Sequence, residues 1–300
     1  MTISEDQLDI WAKQGPTPQF VGTYNSIKDV LEDAKSPYHS KRKYEVHLQG
    51  SYRNDTNVYG DSDVDVVIWT SDTYHYDIDH LPTDQKALYQ QNNTDVPSAG
   101  PAFKQEVLSW LNEQYGASSV IPGKKAILLK GNSHRRDADI VVCTEHRQFY
   151  RYTGNVQEDH NKGVRFFASD GTSIVNFPKL HAKACTDKHQ ATNSAWFKHT
   201  IRIFKNMRNR MIAMGILTEG VAPSYFIEGM LWNVPDPNFG LSYQSTVADC
   251  LNWVHNAKQS DLLCANQRRW LVRDGRPDAW PTANFNTFIT EAIKFWNAGG

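Results

Sequence analysis

The chain has 300 residues, 40% of them hydrophobic and 12% aromatic, which is enough apolar side chain to bury one large core or two lobes. The formal net charge is -1 and like charges form no long blocks, so the composition argues against a protein that coats DNA or RNA and allows only a local polyanion site. No run approaches 18 apolar residues, the first residues do not resemble a signal peptide and the four cysteines are widely spaced, which predicts a cytoplasmic protein without a membrane span.

The beginning of the chain combines helical and strand patterns. Residues 4–14 and 24–35 have the apolar spacing of helices. Residues 44–49 and 64–69 have the pattern of strands, and a turn-rich segment joins them. Residues 70–100 are polar, and we expect an insertion or mobile loop there with one short helix.

Further along, the pattern changes from mixed to helical. Residues 101–116 predict a helix, because Pro101 lies near its start and Gly116 follows its end. Residues 126–143 predict a hairpin, and residues 163–177 predict more β-structure. From Pro178 onward nearly every segment has helical spacing. We therefore expect an α+β fold in two parts, residues 1–178 and 179–300, with the N-terminal helices packing on the second part.

Two aspartates at the start of a strand suggest a metal site. Asp63 and Asp65 lie two positions apart and would project from one face, while Val64 and Val66 enter the core. Paired carboxylates are hard oxygen ligands of the kind that Mg²⁺ prefers, and two such ions can bridge a triphosphate. The alternative is a pair of solvated aspartates at a strand end.

A third carboxylate has to come from elsewhere in the chain. Asp139 is flanked by Ala138 and Ile140, as expected for a carboxylate on a central strand, whereas Asp137 follows two arginines and could simply pair with them. Asp55 and Asp61 fit a connecting loop. We therefore choose Asp139 as the third ligand.

A possible phosphate-binding turn precedes these carboxylates. Gly50 allows a close approach of the backbone to a phosphate, and the amides that follow it can donate hydrogen bonds together with the Ser51 hydroxyl. A Gly-Ser pair by itself is a common turn. Its position after a strand and ahead of Asp63 and Asp65 makes the combination specific.

These residues resemble the nucleotidyltransferase superfamily with a polymerase-β-like core. Its pattern is Gly-Ser, a spacer, two aspartates alternating with apolar residues, and one more aspartate on a neighbouring strand. The stretch GSYRNDTNVYGDSDVDVVI is most similar to the bacterial cyclic-oligonucleotide synthases (CD-NTases), which are related to cyclic GMP-AMP synthase, DncV and oligoadenylate synthase. The resemblance implies a two-lobed enzyme with a helical C-terminal lobe.

The resemblance also implies an activity. A ribose hydroxyl of one NTP attacks the α-phosphate of another, pyrophosphate leaves, and a second round closes a cyclic di- or trinucleotide. The cofactor would be two Mg²⁺ ions, or Mn²⁺, held by Asp63, Asp65 and Asp139. In this family the product activates a separate effector in a CBASS antiphage system. An alternative within the same fold is a linear nucleotidyltransferase that acts on RNA or protein.

A basic stripe occurs on the helix predicted over residues 192–215. Lys198, Arg202 and Lys205 follow one another at helical spacing beside an apolar stripe, and an array of this kind can hold a triphosphate. The alternative is a solvated amphipathic face. By its resemblance to the central helix of oligoadenylate synthase, Lys205 is the best candidate for a phosphate ligand.

The next helix also has residues that the resemblance assigns to the nucleotide. Ser224 and Tyr225 match a Ser-Tyr pair of cyclic GMP-AMP synthase that contacts the donor nucleotide and stacks on its base. Ordinary core packing is the alternative for Tyr225. Glu228 suits a structural partner of the basic helix better than a catalytic base.

Two further features receive no catalytic role. His181, Cys185 and His189 recur every four residues, but the outer two would be about 12 Å apart on one helix, which argues against a shared zinc ion. Arg53, Asp55 and Asn57 fit turn chemistry and are left unassigned.

The chain ends in Gly-Gly after a predicted helix. The ordinary interpretation is a helix C-cap with a frayed tail. The resemblance offers another, because some bacterial synthases of this group are conjugated through a small C-terminal residue by a ubiquitin-type ligase. Gly300 would suit such a reaction.

Overall fold

The computed structural model describes residues 2–15, 18–59, 63–154, 160–193 and 196–300. Asp61 lies outside these ranges. The helices are α1 (Glu5–Ala12), α2 (Pro18–Leu31), α3 (Gly50–Arg53), α4 (Thr83–Asn92), α5 (Gly100–Tyr115), α6 (Pro178–Ala191), α7 (Phe197–Ala213), α8 (Ser224–Asn233), α9 (Tyr243–Asn256) and α10 (Thr282–Ala298). The strands are β1 (Tyr44–Leu48), β2 (Val64–Asp77), β3 (Val120–Pro122), β4 (Ile127–Leu129), β5 (Ala138–Phe149), β6 (His160–Phe167) and β7 (Ser173–Asn176). Short 3₁₀ helices cover Asp236–Asn238 and Gln259–Asp261.

The chain divides into two compact units. The helical unit comprises Met1–Pro16, Gly50–Asp61 and Lys179–Gly300, and the sheet unit comprises Thr17–Gln49 and Ser62–Pro178. The short segment Gly50–Asp61, which contains the Gly-Ser turn, therefore belongs to the helical unit although its neighbours in sequence belong to the sheet unit.

The sheet unit is built on one mixed sheet. Its strand order is β1-β2-β5-β4-β3, with β6 added on β5 and β7 on β6. The β2–β5 pair is parallel, and the other pairs are antiparallel. One apolar face of each of α2 and α5 is buried, and α2 contacts β2 while α5 contacts β5. The buried side chains are Phe20, Ile27 and Leu31 of α2 and Phe103, Val107, Trp110 and Leu111 of α5. Because β2 and β5 lie in the middle of the sheet, their first residues are held firmly.

Part of the region expected to be a loop is a strand. β2 continues to Asp77 after an irregularity between Thr70 and Tyr74, and its second part pairs with β5. The guanidinium of Arg147 lies 3.8 Å from the centre of the Tyr74 ring and covers it. The polar composition concealed this strand because β5 supplies its hydrogen bonds and cross-strand contacts. The expected short helix within the region is α4.

The helical unit is organised around α7. This helix contacts α1, α8, α9 and α10. Its apolar stripe is fully buried, as the spacing predicts, and comprises Phe197, Ile201, Phe204 and Met211. Within the described part of the chain, no helix combines the length and apolar character needed to cross a membrane.

Candidate active site

The three predicted metal ligands all lie in the sheet unit. Asp65 is the second residue of β2 and lies directly opposite Asp139, the second residue of β5, in the parallel pairing. Asp63 immediately precedes β2 and is exposed, whereas Asp65 and Asp139 are half-buried. Val64, between Asp63 and Asp65, is fully buried, and this anchors the strand. The structure thus brings the β2 and β5 carboxylates together.

Burial and two neighbouring aspartates affect the ionisation of Asp139. Burial raises the pKa of this carboxyl group above its ordinary value, and the negative charges of Asp63 and Asp137 raise it further. A bound cation would offset the same repulsion. The environment therefore suits a group of carboxylates that binds a metal ion or a proton.

Asp137 has a different position and a structural contact. Its carboxylate accepts a hydrogen bond from the amide of Gly131 at 2.5 Å, and its carbonyl accepts one from the amide of Val64 at 3.0 Å. Asp137 thus closes the turn between β4 and β5 and joins β5 to the start of β2. The contact that the structure gives for the Asp137 carboxylate is therefore with a backbone amide.

The Gly-Ser pair begins the one-turn helix α3. Gly50 has φ of 74°, a left-handed conformation that favours glycine. The carbonyl of Gly50 accepts from the amide of Asn54 at 3.3 Å, and that of Ser51 accepts from the amide of Thr56 at 2.9 Å. The conformation of Gly50 and Ser51 is therefore coupled to residues 54–57.

The basic stripe of α7 faces those same residues. The Lys198 ammonium group lies 2.9 Å from a carboxylate oxygen of Asp55. Arg202 donates to the carbonyls of Asp55 and Ala12, and burial lowers the pKa of its guanidinium to about 10. Both side chains are buried. Neither of the two interpretations of the stripe, solvated face or open phosphate site, anticipated these contacts.

Lys205 is the most deeply placed of the three. It is 0% exposed, and its ammonium group donates to the carbonyl of Thr56 at 3.1 Å, to the hydroxyl of Thr56 at 3.2 Å and to Glu228 at 3.1 Å. An ammonium group has three protons, and here each has an acceptor. A phosphate would have to displace one of these partners.

Glu228 on α8 is confirmed as a partner of the basic helix. Its two oxygens accept from four groups, namely Asn54, Thr56, His181 and Lys205. Burial opposes its charge, but the Lys205 ammonium group and the His181 ring hold the pKa of this carboxyl group well below its ordinary value. Glu228 is therefore ionised in the interior of the helical unit.

The residues proposed for the nucleotide base lie at the start of α8. The Ser224 hydroxyl accepts from Arg208 at 3.1 Å. The Tyr225 ring is half-buried and stacks on the His181 ring, with centroids 4.8 Å apart and an interplanar angle of 23°. The Tyr225 hydroxyl accepts from Asn266 at 2.9 Å. The ring is thus held in a fixed orientation by a stack and a hydrogen bond.

His181 and Cys185 lie near each other, as one helical turn requires, and Glu228 joins them in place of His189. Ligand atoms of His181, Cys185 and Glu228 lie within 4.8 Å of one another, and all three residues are buried. Burial opposes protonation of His181, but Cys185 and Glu228 outweigh it and raise the pKa of the ring to about 10. A metal ion here would have to displace the His181 proton and compete with Lys205 for Glu228, which disfavours a metal.

Sequence reasoning missed Asn54, Thr56, Arg208 and Asn266. Asn54 and Thr56 flank Asp55, which has φ of 55°, and this backbone turns their side chains toward Glu228. A polar loop directly after Gly-Ser was the available signal. Its partners lie more than 140 positions away, and no local pattern identifies them.

Known proteins are similar to this chain over its helical C-terminal part and over its full length. Residues 183–297 match the family model of the cGAS/DncV-like nucleotidyltransferase C-terminal helical domain. Cyclic nucleotide synthase CdnE01 from Staphylococcus haemolyticus is 36% identical over 303 residues, covering 99% of each chain. Cyclic UMP-AMP synthase from Rhodothermus marinus (strain SG0.5JP17-172) is 36% identical over 301 residues, covering all of both chains.

A solved structure extends the similarity to three dimensions. The Rhodothermus marinus CdnE c-UMP-AMP synthase with Apcpp and Upnpp has a TM-score of 0.85 and 34% identity, covering 99% of this chain and 98% of that chain. The predicted fold class and the predicted family are both confirmed. With the Gly-Ser turn, the paired aspartates and full-length similarity in agreement, the chain belongs to the CD-NTase family of cGAS/DncV-like nucleotidyltransferases.

Proposed function

We propose that this chain joins nucleoside triphosphates and closes the product into a cyclic di- or trinucleotide, with release of pyrophosphate at each step. The observation that carries the proposal is the direct opposition of Asp65 and Asp139 on adjacent parallel strands, with Asp63 beside them. Two relatives that are 36% identical over their full length are named as cyclic nucleotide and cyclic UMP-AMP synthases, which supports the same activity.

In the proposed reaction a ribose hydroxyl of one nucleotide attacks the α-phosphorus of another. The new oxygen–phosphorus bond forms as the bond to the bridging oxygen of the β-phosphate breaks, and pyrophosphate leaves with that electron pair. We assign acceptance of the hydroxyl proton to Asp139, because as a ligand of the proposed metal site it would lie beside the attacking hydroxyl.

The metal is part of the proposal. Asp63, Asp65 and Asp139 would hold two Mg²⁺ ions, with Mn²⁺ as the alternative. The fit rests on donor chemistry, because carboxylate oxygens are the ligands that these ions prefer. Burial is the main cause of the raised pKa of Asp139, and the negative charges of Asp63 and Asp137 add to it. Such ions, when bound, would lower the pKa of the attacking hydroxyl and offset the charge on the phosphates.

The helical unit supplies the proposed nucleotide contacts. The backbone of Gly50 and the hydroxyl of Ser51 would donate to phosphate oxygens of the donor. Ser224 and Tyr225 would contact the donor nucleotide, and an aromatic ring stacked on a base contributes about 1 to 3 kcal/mol. The hydroxyl of Tyr225 is fixed by Asn266, which would keep its ring in place for stacking.

The basic residues of α7 are less suited to a direct phosphate contact. A phosphate role for Lys198 and Arg202 stays a prediction, and it requires the nucleotide to compete with Asp55 and with the carbonyl of Ala12. The same role for Lys205 requires the loss of a contact to Thr56 or Glu228. These competitions oppose phosphate binding by the three side chains.

The cellular role follows the family. We propose that the cyclic product activates a separate effector in antiphage defence, in the cytoplasm, where NTPs are available and thiols stay reduced. The four cysteines are free and buried, which is compatible with that compartment. ATP and UTP are the first substrates to test, because one full-length relative is named as a cyclic UMP-AMP synthase.

The C-terminal glycine carries a separate proposal. Gly300 donates its amide to the carbonyl of Phe295 at 3.1 Å, so it caps α10, and the residue is exposed. We propose that a ubiquitin-like conjugation system acts at this residue. Addition of one tryptophan after Gly300 should stop conjugation and spare synthesis by the purified enzyme, and unchanged conjugation would contradict the proposal.

The activity is tested with purified protein, all four NTPs and Mg²⁺. Phosphatase-resistant products identified by mass spectrometry as cyclic di- or trinucleotides are the expected result, whereas label transferred to RNA or protein would indicate a linear nucleotidyltransferase. Removal of Mg²⁺ with EDTA should stop synthesis, and re-addition of Mg²⁺ or Mn²⁺ should restore it.

A paired substitution tests the metal ligands. Asp63→Asn with Asp65→Asn should bring turnover below about a thousandth of wild type while NTP still binds, because ligand loss removes the metals that stabilise the transition state. Asp79→Asn with Asp84→Asn is the matched control, since both aspartates are exposed in the same unit. Greater residual turnover in the first pair would overturn the two-metal assignment.

A further inference from the structure

The contacts of Glu228 form one continuous network within the helical unit. Oε1 accepts from the Thr56 hydroxyl at 2.5 Å and from Lys205 at 3.1 Å. Oε2 accepts from the Asn54 side chain at 3.0 Å and from the His181 ring at 2.7 Å. A carboxylate has about four acceptor positions, so this buried group is fully satisfied. Such a network fixes the groups that it joins.

Thr56 connects this network to the Gly-Ser turn. It is fully buried, and both its hydroxyl and its carbonyl accept from Lys205. Its amide donates to the carbonyl of Ser51 at 2.9 Å. Two successive hydrogen bonds therefore lead from Glu228 to Ser51, one through the hydroxyl of Thr56 and one through its amide.

The same network reaches the residue proposed for base stacking. The His181 ring that donates to Glu228 also forms the stack with the Tyr225 ring. The group that orients Ser51 is thus in contact with the group that orients Tyr225. Both would bind the same donor nucleotide under the function proposed above.

We propose that Glu228, with Lys205 and His181, is a positioning residue that holds Ser51 in register with Tyr225 for donor nucleotide binding. The proposal rests on the proposed function, and it gives Lys205 a role through Thr56 instead of direct contact with the triphosphate. Its physical basis is that a displacement of about 1 Å in a positioning group can cost about a hundredfold in rate.

Substitutions at Thr56 test the positioning role most directly. Thr56→Val removes the hydroxyl that bonds to Glu228 and Lys205 and keeps the side-chain shape, and Thr56→Ser restores the hydroxyl. Thr200→Val is the control, because Thr200 is also fully buried and its hydroxyl donates to the Trp196 carbonyl near the start of its own helix. Urea unfolding of all three variants establishes that they are folded under assay conditions.

We expect Thr56→Val to lower kcat/KM for NTPs by about tenfold or more, and Thr56→Ser and Thr200→Val to stay within about threefold of wild type. Ser51→Ala supplies the decisive comparison. If Thr56 acts through Ser51, Thr56→Val added to Ser51→Ala should lower activity by less than about threefold beyond Ser51→Ala alone. A Thr56→Val effect below threefold, or an additive double variant, would overturn the proposal.

Hydrogen exchange separates failure of this proposal from failure of the proposed function. If the wild-type protein makes no product from any NTP mixture, the proposed function fails and positioning is judged on amide exchange alone. Thr56→Val should then speed exchange at the Thr56 amide, which bonds to Ser51, relative to Thr56→Ser and Thr200→Val. Equal exchange in the three variants would refute the positioning role.

Discussion

Replacement of Lys205 by methionine tests the buried ion pair at the centre of the helical unit. The ammonium nitrogen lies 3.1 Å from Oε1 of Glu228, and the Lys205 side chain is 0% exposed while that of Glu228 is 4% exposed. Methionine fills much of the same volume without a charge. The substitution therefore leaves a buried carboxylate with one positive partner, His181, in place of two.

The expected loss follows from this geometry. Removal of one partner from a buried ion pair costs about 3 to 5 kcal/mol. Because His181 still compensates part of the charge, we expect Lys205→Met to lower the free energy of unfolding by about 3 kcal/mol, the lower end of that range. Glu228→Gln added to it removes the stranded carboxylate, so the double variant should lose about 1 to 3 kcal/mol less than the sum of the single losses.

The assay is urea unfolding at pH 7, followed by both tryptophan fluorescence and far-ultraviolet circular dichroism because the chain has two compact units. The control is Lys183→Met, since Lys183 is 71% exposed and its partner Asp187 is 56% exposed. An exposed pair contributes less than about 1 kcal/mol. A Lys205→Met loss as small as that of the control, or losses that simply add, would refute the reasoning.

Three further outcomes follow from the structure. The stability that protonated His181 contributes should be fully present below pH 6.5 and decline as the pH rises through about 10. The free energy of unfolding of His181→Gln should therefore depend less on pH over that window than that of the wild type, and parallel plots of the two free energies against pH would contradict this. Asp139→Asn should abolish synthesis yet raise the unfolding temperature in EDTA, because the raised pKa of Asp139 means that the folded state disfavours its charged form. A variant that unfolds in EDTA at a lower temperature than the wild type would contradict this. Gly131→Ala should lower the free energy of unfolding by about 1 to 3 kcal/mol and reduce synthesis, because the added Cβ would lie 2.6 Å from the Arg135 carbonyl oxygen. The control Gly22→Ala should not be destabilising, because the space around Gly22 is open, and equal unfolding midpoints of the two variants would contradict the prediction.

The positions of the three aspartates at the starts of strands were predictable because their signals are local. Alternation of Asp63 and Asp65 with buried valines, and the apolar neighbours of Asp139, identify strand-borne carboxylates without knowledge of the tertiary structure. The apolar stripe of α7 was predictable for the same reason. The direct opposition of Asp65 and Asp139 depends on the parallel pairing of β2 and β5, and the residues alone did not determine it.

The basic residues of α7 show where local reasoning stops. Their spacing is compatible with a solvated face and with a phosphate site, and neither interpretation includes burial against residues 54–57. What decides their environment is a polar loop more than 140 positions earlier. Strand residues 70–77 were missed for a related reason, because their pairing with β5 outweighs a composition that favours a loop.

The segment Gly50–Asp61 is synthesised long before the residues that it contacts, and this delays its folding. Thr56 lies 149 positions before Lys205 and 172 before Glu228, so its partners emerge from the ribosome long after it does. At about 5 to 20 residues per second, that interval is roughly 10 to 30 s. During this time the segment has no access to the side chains that will fix it. The Gly-Ser turn can therefore acquire its final conformation only when the last third of the chain is being made, and a nascent chain stalled before α8 would lack it.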